Sequence, residues 1–306
     1  ACTCPSSNSL PRSDRDVILD MLQQPAIAVG CAFAFGLLVG SFLNVVILRL
    51  PARLEWHWRR DSREMLELPE SDDVAVVPPG LVVKRSHCMH CGHQLAALDN
   101  VPLLSFLVLR GRCRYCRASI SWQYPAVELL TGIAFAVCAW HFGPTTQAIA
   151  ALAFSGMLIA LSGIDLRTTL LPDQLTYPLL WLGLLLSTAT VFVEPVPALI
   201  GAAVGYLSLW SVYWAFKLLT GKEGMGRGDF KLLATLGAWC GIKGVLPIVL
   251  ISALLGALVG SAWLLLRGRD RSTQIPFGPY LALAGWVQLL WGPQLLATYL
   301  QFSGIR

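Results

Sequence analysis

Apolar residues fall along this chain in runs close to twenty long, divided by short polar stretches, with no regular alternation of a wet and a dry face inside the runs. A helix of about 20 such residues crosses the hydrocarbon core of a bilayer. The pattern therefore predicts eight spans, roughly 26–48, 124–142, 146–164, 174–193, 197–219, 230–249, 250–266 and 277–299. Pro247 interrupts the sixth and seventh, which read as two helices or as one broken helix with a re-entrant piece. Between the first two spans, the stretch from Arg53 to Gly80 is rich in charge and proline and holds no sustained periodicity. It is expected to be irregular.

Composition agrees with the runs: 55% of the 306 residues are apolar and 13% are charged. This is the balance of a polytopic membrane protein rather than of a soluble domain. Of its 23 Lys and Arg residues, nineteen lie in the segments 49–117, 167, 217–231 and 267–271. Cytoplasmic loops accumulate such residues, so the loops HFGPTTQ, FVEPVP and GIKG are expected outside, as are both termini. The net charge of +5 then reflects topology and not nucleic-acid binding. Met21 directly precedes the first run and reads as the natural start, with residues 1–20 a tail of doubtful origin. The first run ends in Arg49 and Leu50-Pro51 rather than at a small-residue cleavage site, so it reads as a retained anchor and not a signal peptide.

Cys88-x-x-Cys91 and Cys113-x-x-Cys116 are separated by twenty-one residues, a spacing that lets two tight turns gather four thiolates around one tetrahedral zinc. Disulfides do not suit a reducing cytoplasmic side, and a redox CxxC lacks its βαβ setting. Lys84, Arg85, Arg110, Arg112, Arg114 and Arg117 flank the ligands, offset their charge and favour thiolate. Four protein ligands leave no open position for water, so the site is expected to be structural. His87, His90 and His93 read as bystanders, and Cys31, Cys138 and Cys240 as small apolar fillers.

Two aspartates, Asp165 in GIDLRTTLLPD and Asp229 in GMGRGDFK, stand where hydrophobic runs meet the expected membrane surface. A carboxylate beside a low-dielectric core is costly unless paired, protonated or useful. Two of them together can hydrolyse a peptide bond, one ionised to take a proton from water and one protonated to polarise the carbonyl. No Ser/His or Cys/His arrangement competes, and ligands for a hydrolytic metal are lacking. Gly226 and Gly228, just before Asp229, allow close backbone approach or a positive φ, and are candidates for binding a substrate strand. Glu128 lies one turn inside the second span and stands open to two roles, a structural bond to a neighbouring helix or binding of substrate or cofactor. Ser41 and Asn44 are expected to bond between helices.

These residues lie in the segments GLLVGSFLNVVILRLP, NVPLLSFLVLRGRC, YPAVELLTG, IDLRTTLLPDQLTYPLLWLGLLL, GYLSLWSVYWAFKLLTGKEGMGRGDFKLLATLGAW and IPFGPYLALAG. Together with the double CxxC, they resemble the bacterial type IV prepilin leader peptidases over residues 30–292. The resemblance implies that Asp165 and Asp229 are the catalytic pair, the latter within a GxGD signature, and that Asp173 is not catalytic. It also implies cleavage of prepilin and type II secretion pseudopilin leaders after a glycine, then N-methylation with S-adenosylmethionine, in the bacterial inner membrane. No Gly-rich methyltransferase turn is present, so the second activity rests on the resemblance alone. Met89 and Lys84 depart from the family's frequent prolines near the first cysteine.

The expected organisation is thus a tail over 1–20, a first anchor over 21–49, a cytoplasmic loop over 50–122 whose zinc unit covers about 82–122, and a transmembrane protease core over 123–306. The fold class is all-α and polytopic, with about eight transmembrane helices and a small cytoplasmic zinc-binding insertion. Two further readings remain: a peptidase without methyl transfer, and a transporter or scaffold that uses the zinc unit to dock a partner.

Overall fold

The computed structural model describes residues 24–68, 76–81, 86–267 and 276–303. The tail over 1–20, with Cys2 and Cys4, lies outside them, as do Met21, Lys84, Arg85, Arg269, Arg271 and Arg306. Each of the eight expected spans appears as a helix: α1 Pro25–Met65, then, after the cysteine unit and its short α2 Leu104–Val108, α3 Gln123–Phe142, α4 Thr146–Thr168, α5 Asp173–Thr188, α6 Pro195–Thr220, α7 Arg227–Cys240, α8 Ile242–Arg267 and α9 Gly278–Ser303. Five of them, α1, α3, α4, α6 and α8, are long and apolar enough to cross a membrane.

The expectation of an irregular stretch from Arg53 is wrong at its start, because α1 continues to Met65 through Pro51. The charges that suggested disorder are placed one turn apart: Glu55 pairs with Arg59, and Arg60 lies over the Trp56 ring at 5.6 Å. Such i,i+4 partners support a helix already nucleated by its apolar part. The segment 76–81 returns along α1, where Arg49 Nη1 donates to the Gly80 carbonyl at 2.8 Å and Arg53 Nη1 to that of Pro78 at 3.2 Å.

The boundary expected at 249/250 also moves. The sixth span ends at Cys240, where Gly241 takes a φ of +69°, and Pro247 sits within the second turn of α8. Glycine adopts that positive φ without a Cβ penalty, and the helix that follows continues through Pro247.

With 14 residues, α7 is about 21 Å long and too short to span the core alone. It is instead the centre of the bundle: from Asp229 to Trp239 every residue but Lys231 is buried. Close approach makes this possible. A Cβ on Gly237 would fall 2.1 Å from the Gly201 carbonyl oxygen of α6, and one on Gly183 of α5 2.5 Å from the Trp239 ring. Trp239 Nε1 donates to the Leu179 carbonyl at 2.9 Å and packs on Phe154 and Phe192. Elsewhere α1 lies on α3 through Gly36 and Gly40, whose Cβ atoms would meet Gly132 Cα at 2.8 Å and Glu128 Cα at 2.7 Å. Small residues one turn apart are the usual means for two membrane helices to touch backbones. Asn44 Nδ2 bonds the Tyr124 carbonyl across this pair, as expected of it. On the other side of the bundle Leu246, Leu250, Leu254 and Leu258 form an exposed ridge along α8, a face suited to lipid.

Candidate active site and metal centre

Asp165 lies in the last turn of α4, which ends at Thr169 in the left-handed region with its N–H on the Asp165 carbonyl at 2.9 Å. The turn Leu170-Leu171-Pro172 then opens α5. Asp229 lies in the first turn of α7, after Gly226 in extended conformation. Both side chains are buried, and the two carboxylates are near enough to feel each other's charge. Asp165 Oδ2 accepts from the Gly278 N–H, the first residue of α9, at 2.9 Å. A helix N-terminus offers such free donors and a favourable dipole to an anion.

Leu171 ties the three segments together. A Cβ on Gly228 would fall 2.8 Å from Leu171 Cβ, and one on Gly278 would fall 2.7 Å from Asp165 Oδ2 and 3.2 Å from Leu171 Cδ2. Of the two roles open to Gly226 and Gly228, positive φ is not taken by either. Close approach is: Gly228 admits Leu171, and a Cβ on Gly226 would stand 3.4 Å from Asp229 Oδ2. Gly278 and Leu171 were not singled out in the sequence; the available signal was a glycine between Phe277 and Pro279 at the start of the last apolar run.

Asp173, close in sequence, is engaged elsewhere. Both its oxygens accept from Lys231 Nζ, at 2.7 and 2.9 Å, and the ammonium also lies 5.2 Å from the Tyr177 ring centre. Two buried carboxylates sharing one site can hold one proton between them, the arrangement that acid–base hydrolysis by water requires.

The cysteine unit forms two similar knuckles. Cys88 N–H bonds the His93 carbonyl and Gly92 N–H the Cys88 carbonyl, while Cys113 N–H bonds Ala118 and Arg117 N–H bonds Cys113. In each knuckle the residue after the second cysteine has positive φ, Gly92 at +67° and Arg117 at +60°. The four sulfurs of Cys88, Cys91, Cys113 and Cys116 all lie within 4.8 Å of one another, with 3.8 Å between Cys88 and Cys116. A tetrahedral ion at a metal–sulfur distance of about 2.3 Å sets its ligands about 3.8 Å apart, so the group could hold such an ion. Backbone N–H groups of Cys91 and then His90 pull the Cys88 thiol down to about 6. No histidine belongs to the group among the described residues; His93 stacks instead on Tyr115 at 3.6 Å.

Glu128 is buried in α3 and touches neither aspartate among the described contacts. Its Oε2 accepts from the Leu103 N–H at 2.8 Å. Leu103 has a φ of +56°, so the bond fixes a strained residue of the cysteine unit to the helix below.

Residues 34–142 match the bacterial peptidase A24 N-terminal domain, and residues 152–261 match the type IV leader peptidase family. The chain is 59% identical to a prepilin leader peptidase/N-methyltransferase of Xanthomonas campestris pv. campestris, over 93% of this chain and 98% of that protein. Proteins of the same description from Stutzerimonas stutzeri and Pseudomonas aeruginosa are 53% and 51% identical, covering 92% and 94% of this chain and 97% and 99% of theirs. No solved structure matches the chain.

Proposed function

Because the chain belongs to the type IV leader peptidase family, we propose that it is a multi-pass membrane enzyme that cleaves prepilin and pseudopilin leaders with Asp165 and Asp229 and then N-methylates the new terminus. The observation that carries this reading is the buried pair of carboxylates at the end of α4 and the start of α7, the first of them bonded by the start of α9. Asp165, with its backbone donor, takes the ionised role, since a hydrogen bond to the charged form favours it. Asp229 takes the protonated one.

Asp165 removes a proton as the water oxygen bonds the scissile carbonyl carbon, and Asp229 gives its proton to the carbonyl oxygen. Return of a proton to the amide nitrogen lets the C–N bond break, releasing the leader acid and a free amine. A prepilin carries a basic leader ahead of an apolar helix, so its scissile bond lies where the membrane meets the cytoplasm. That is the depth at which residues ending one span and starting another would stand. The proposed setting is the bacterial inner membrane, with both chain termini outside and the cysteine unit and aspartates on the cytoplasmic side, where the basic segments lie. Gly226 leaves the approach to Asp229 free of its own side chain for a substrate strand, and Gly228 lets the loop close on Leu171 beside it.

In the cysteine unit we assign zinc, held by Cys88, Cys91, Cys113 and Cys116 as a structural ion. Its role is to fix the fold of residues 86–122 against α1 and α3. The domain division follows: an anchor helix, the zinc unit of the insertion, and the core from 123 that carries both aspartates. S-adenosylmethionine, when bound, supplies an electrophilic methyl group for the second step.

The test is mass spectrometry of a prepilin incubated with the detergent-purified protein, with and without S-adenosylmethionine. Loss of the leader after its glycine in both samples, with one methyl added only when the donor is present, is expected. A trimmed product that never gains the methyl would leave a peptidase alone. An untrimmed prepilin in the presence of folded protein would overturn the whole reading.

A further inference from the structure

A cavity of about 640 Å³ lies where α1, the start of α3, the end of α4 and the cysteine unit meet. Sites for small molecules occupy roughly 300–1,000 Å³. Among the residues lining it are Asp99 and Phe106 of the cysteine unit, Gln123, Tyr124 and Glu128 of α3, and Arg167 of α4. Two of these use one end of a polar group within the protein and leave the other buried without a partner. Asp99 Oδ1 accepts from Arg114 at 2.6 and 2.8 Å, while Asp99 Oδ2 bonds nothing among the described residues. Gln123 Oε1 accepts from Arg167 Nη1 at 2.6 Å, while Gln123 Nε2 is likewise buried and unpartnered. A buried polar group left so costs about 1–3 kcal/mol. One acceptor and one donor on lining residues are thus without partners among the described residues, and a ligand with hydroxyl or amine donors at one end and an acceptor at the other would suit them.

We propose that this cavity is the binding site of the methyl donor, S-adenosylmethionine. The proposal rests on the methyltransferase half of the reading above. The donor's chemistry matches the lining group by group. Ribose hydroxyls give Asp99 Oδ2 its missing donors, and the amino-acid carboxylate gives Gln123 Nε2 its acceptor beside the Arg167 guanidinium. Glu128 offers a negative charge to the sulfonium cation, and the Tyr124 and Phe106 rings offer flat surfaces for adenine. Placement also fits the order of the reaction. Arg167 lines the cavity two residues beyond Asp165 on the same helix, about 3 Å along its axis, so one helix end borders both sites. The amine freed by cleavage loses a proton, its lone pair bonds the methyl carbon, and the carbon–sulfur bond breaks with its electron pair left on sulfur.

The experiment is ultraviolet cross-linking of methyl-labelled S-adenosylmethionine to the full-length, zinc-loaded protein, mapped by peptide, together with calorimetric titration. Label is expected on peptides that carry lining residues, within 41–52, 86–128 or at Arg167. Glu128→Gln keeps an acceptor for the Leu103 N–H and removes the charge. It should weaken S-adenosylmethionine about tenfold or more and S-adenosylhomocysteine, which lacks the sulfonium charge, by less than about threefold. Asp99→Asn should weaken both ligands, with zinc content measured beside it. Saturable binding by the wild type with label elsewhere, or with both variants binding as tightly as wild type, would overturn the cavity and leave the methyltransferase reading standing. No saturable binding to protein that still cleaves prepilin would end that reading, and the cavity assignment with it. If either variant fails to fold, the wild-type label position still decides.

Discussion

Asp165 accepts a hydrogen bond at 2.9 Å from the backbone of Gly278, 113 residues further along the chain. The same oxygen would stand only 2.7 Å from a Cβ at that position. Gly278 therefore both gives the donor and leaves the room. Gly278→Ala should push the carboxylate aside and lower kcat for prepilin cleavage by about tenfold to a hundredfold, since small displacements of a reacting group are costly. Zinc content and S-adenosylmethionine binding should be unchanged. Steady-state cleavage with separate kcat and KM checks this, because a merely structural defect would lower the amount of folded protein instead.

Asp173 and Asp165 are eight residues apart in sequence, but only one faces Asp229. Lys231 holds Asp173 with 45% of that side chain exposed, and an ion pair this open contributes little, about 0–1 kcal/mol. Asp173→Asn should cleave prepilin within about threefold of wild type, whereas Asp165→Asn should be inactive. Cleavage rates of the two variants in the same membranes make the comparison.

Much of this arrangement is legible in the chain, and what is not has definite causes. Apolar run length located all eight long helices, and the paired CxxC spacing located the sulfur cluster. The end of α1 escaped because Glu55, Arg59 and Arg60 look like loop charges until their one-turn spacing is followed. The α7–α8 break escaped because Pro247 is the louder signal and Gly241 the operative one. That α7 is the core of the bundle rather than a lipid-facing span depends on Gly201, Gly237 and Gly183, whose partners lie on other helices. The Gly278 donor escaped for the same reason: a contact made by backbone across the bundle leaves little trace in residue type.

Glycine positions in the helices should divide sharply. Gly237→Ala would force a Cβ to 2.1 Å from the Gly201 carbonyl oxygen, backbone against backbone, and should cost about 3 kcal/mol or more through helix separation. Gly30 has nothing within 4 Å of its would-be Cβ. Gly30→Ala should stabilise α1 by about 0.5–1 kcal/mol. Thermal melts in detergent should show the first variant lowered by many degrees, if it accumulates at all, and the second unchanged or raised.

In the cysteine unit, Gly92 has a φ of +67° and open space around its would-be Cβ. Gly92→Ala should thus weaken the site through backbone strain alone, by about 1–2 kcal/mol. Cys113, the buried member of the four, should be indispensable. Cys113→Ser should lose zinc during purification, while Gly92→Ala should keep it but surrender it to a lower concentration of chelator. Elemental analysis and a chelator titration read both.

The central claim is that Asp165 and Asp229 act as one catalytic pair. The most direct test is prepilin cleavage by wild type, Asp165→Asn, Asp229→Asn and the double variant, each purified to equal zinc content. The account predicts that either single substitution abolishes cleavage as completely as both together, since two residues that act as a unit do not contribute additively. It also predicts that all four proteins still bind S-adenosylmethionine. Full cleavage by either folded single variant would contradict it.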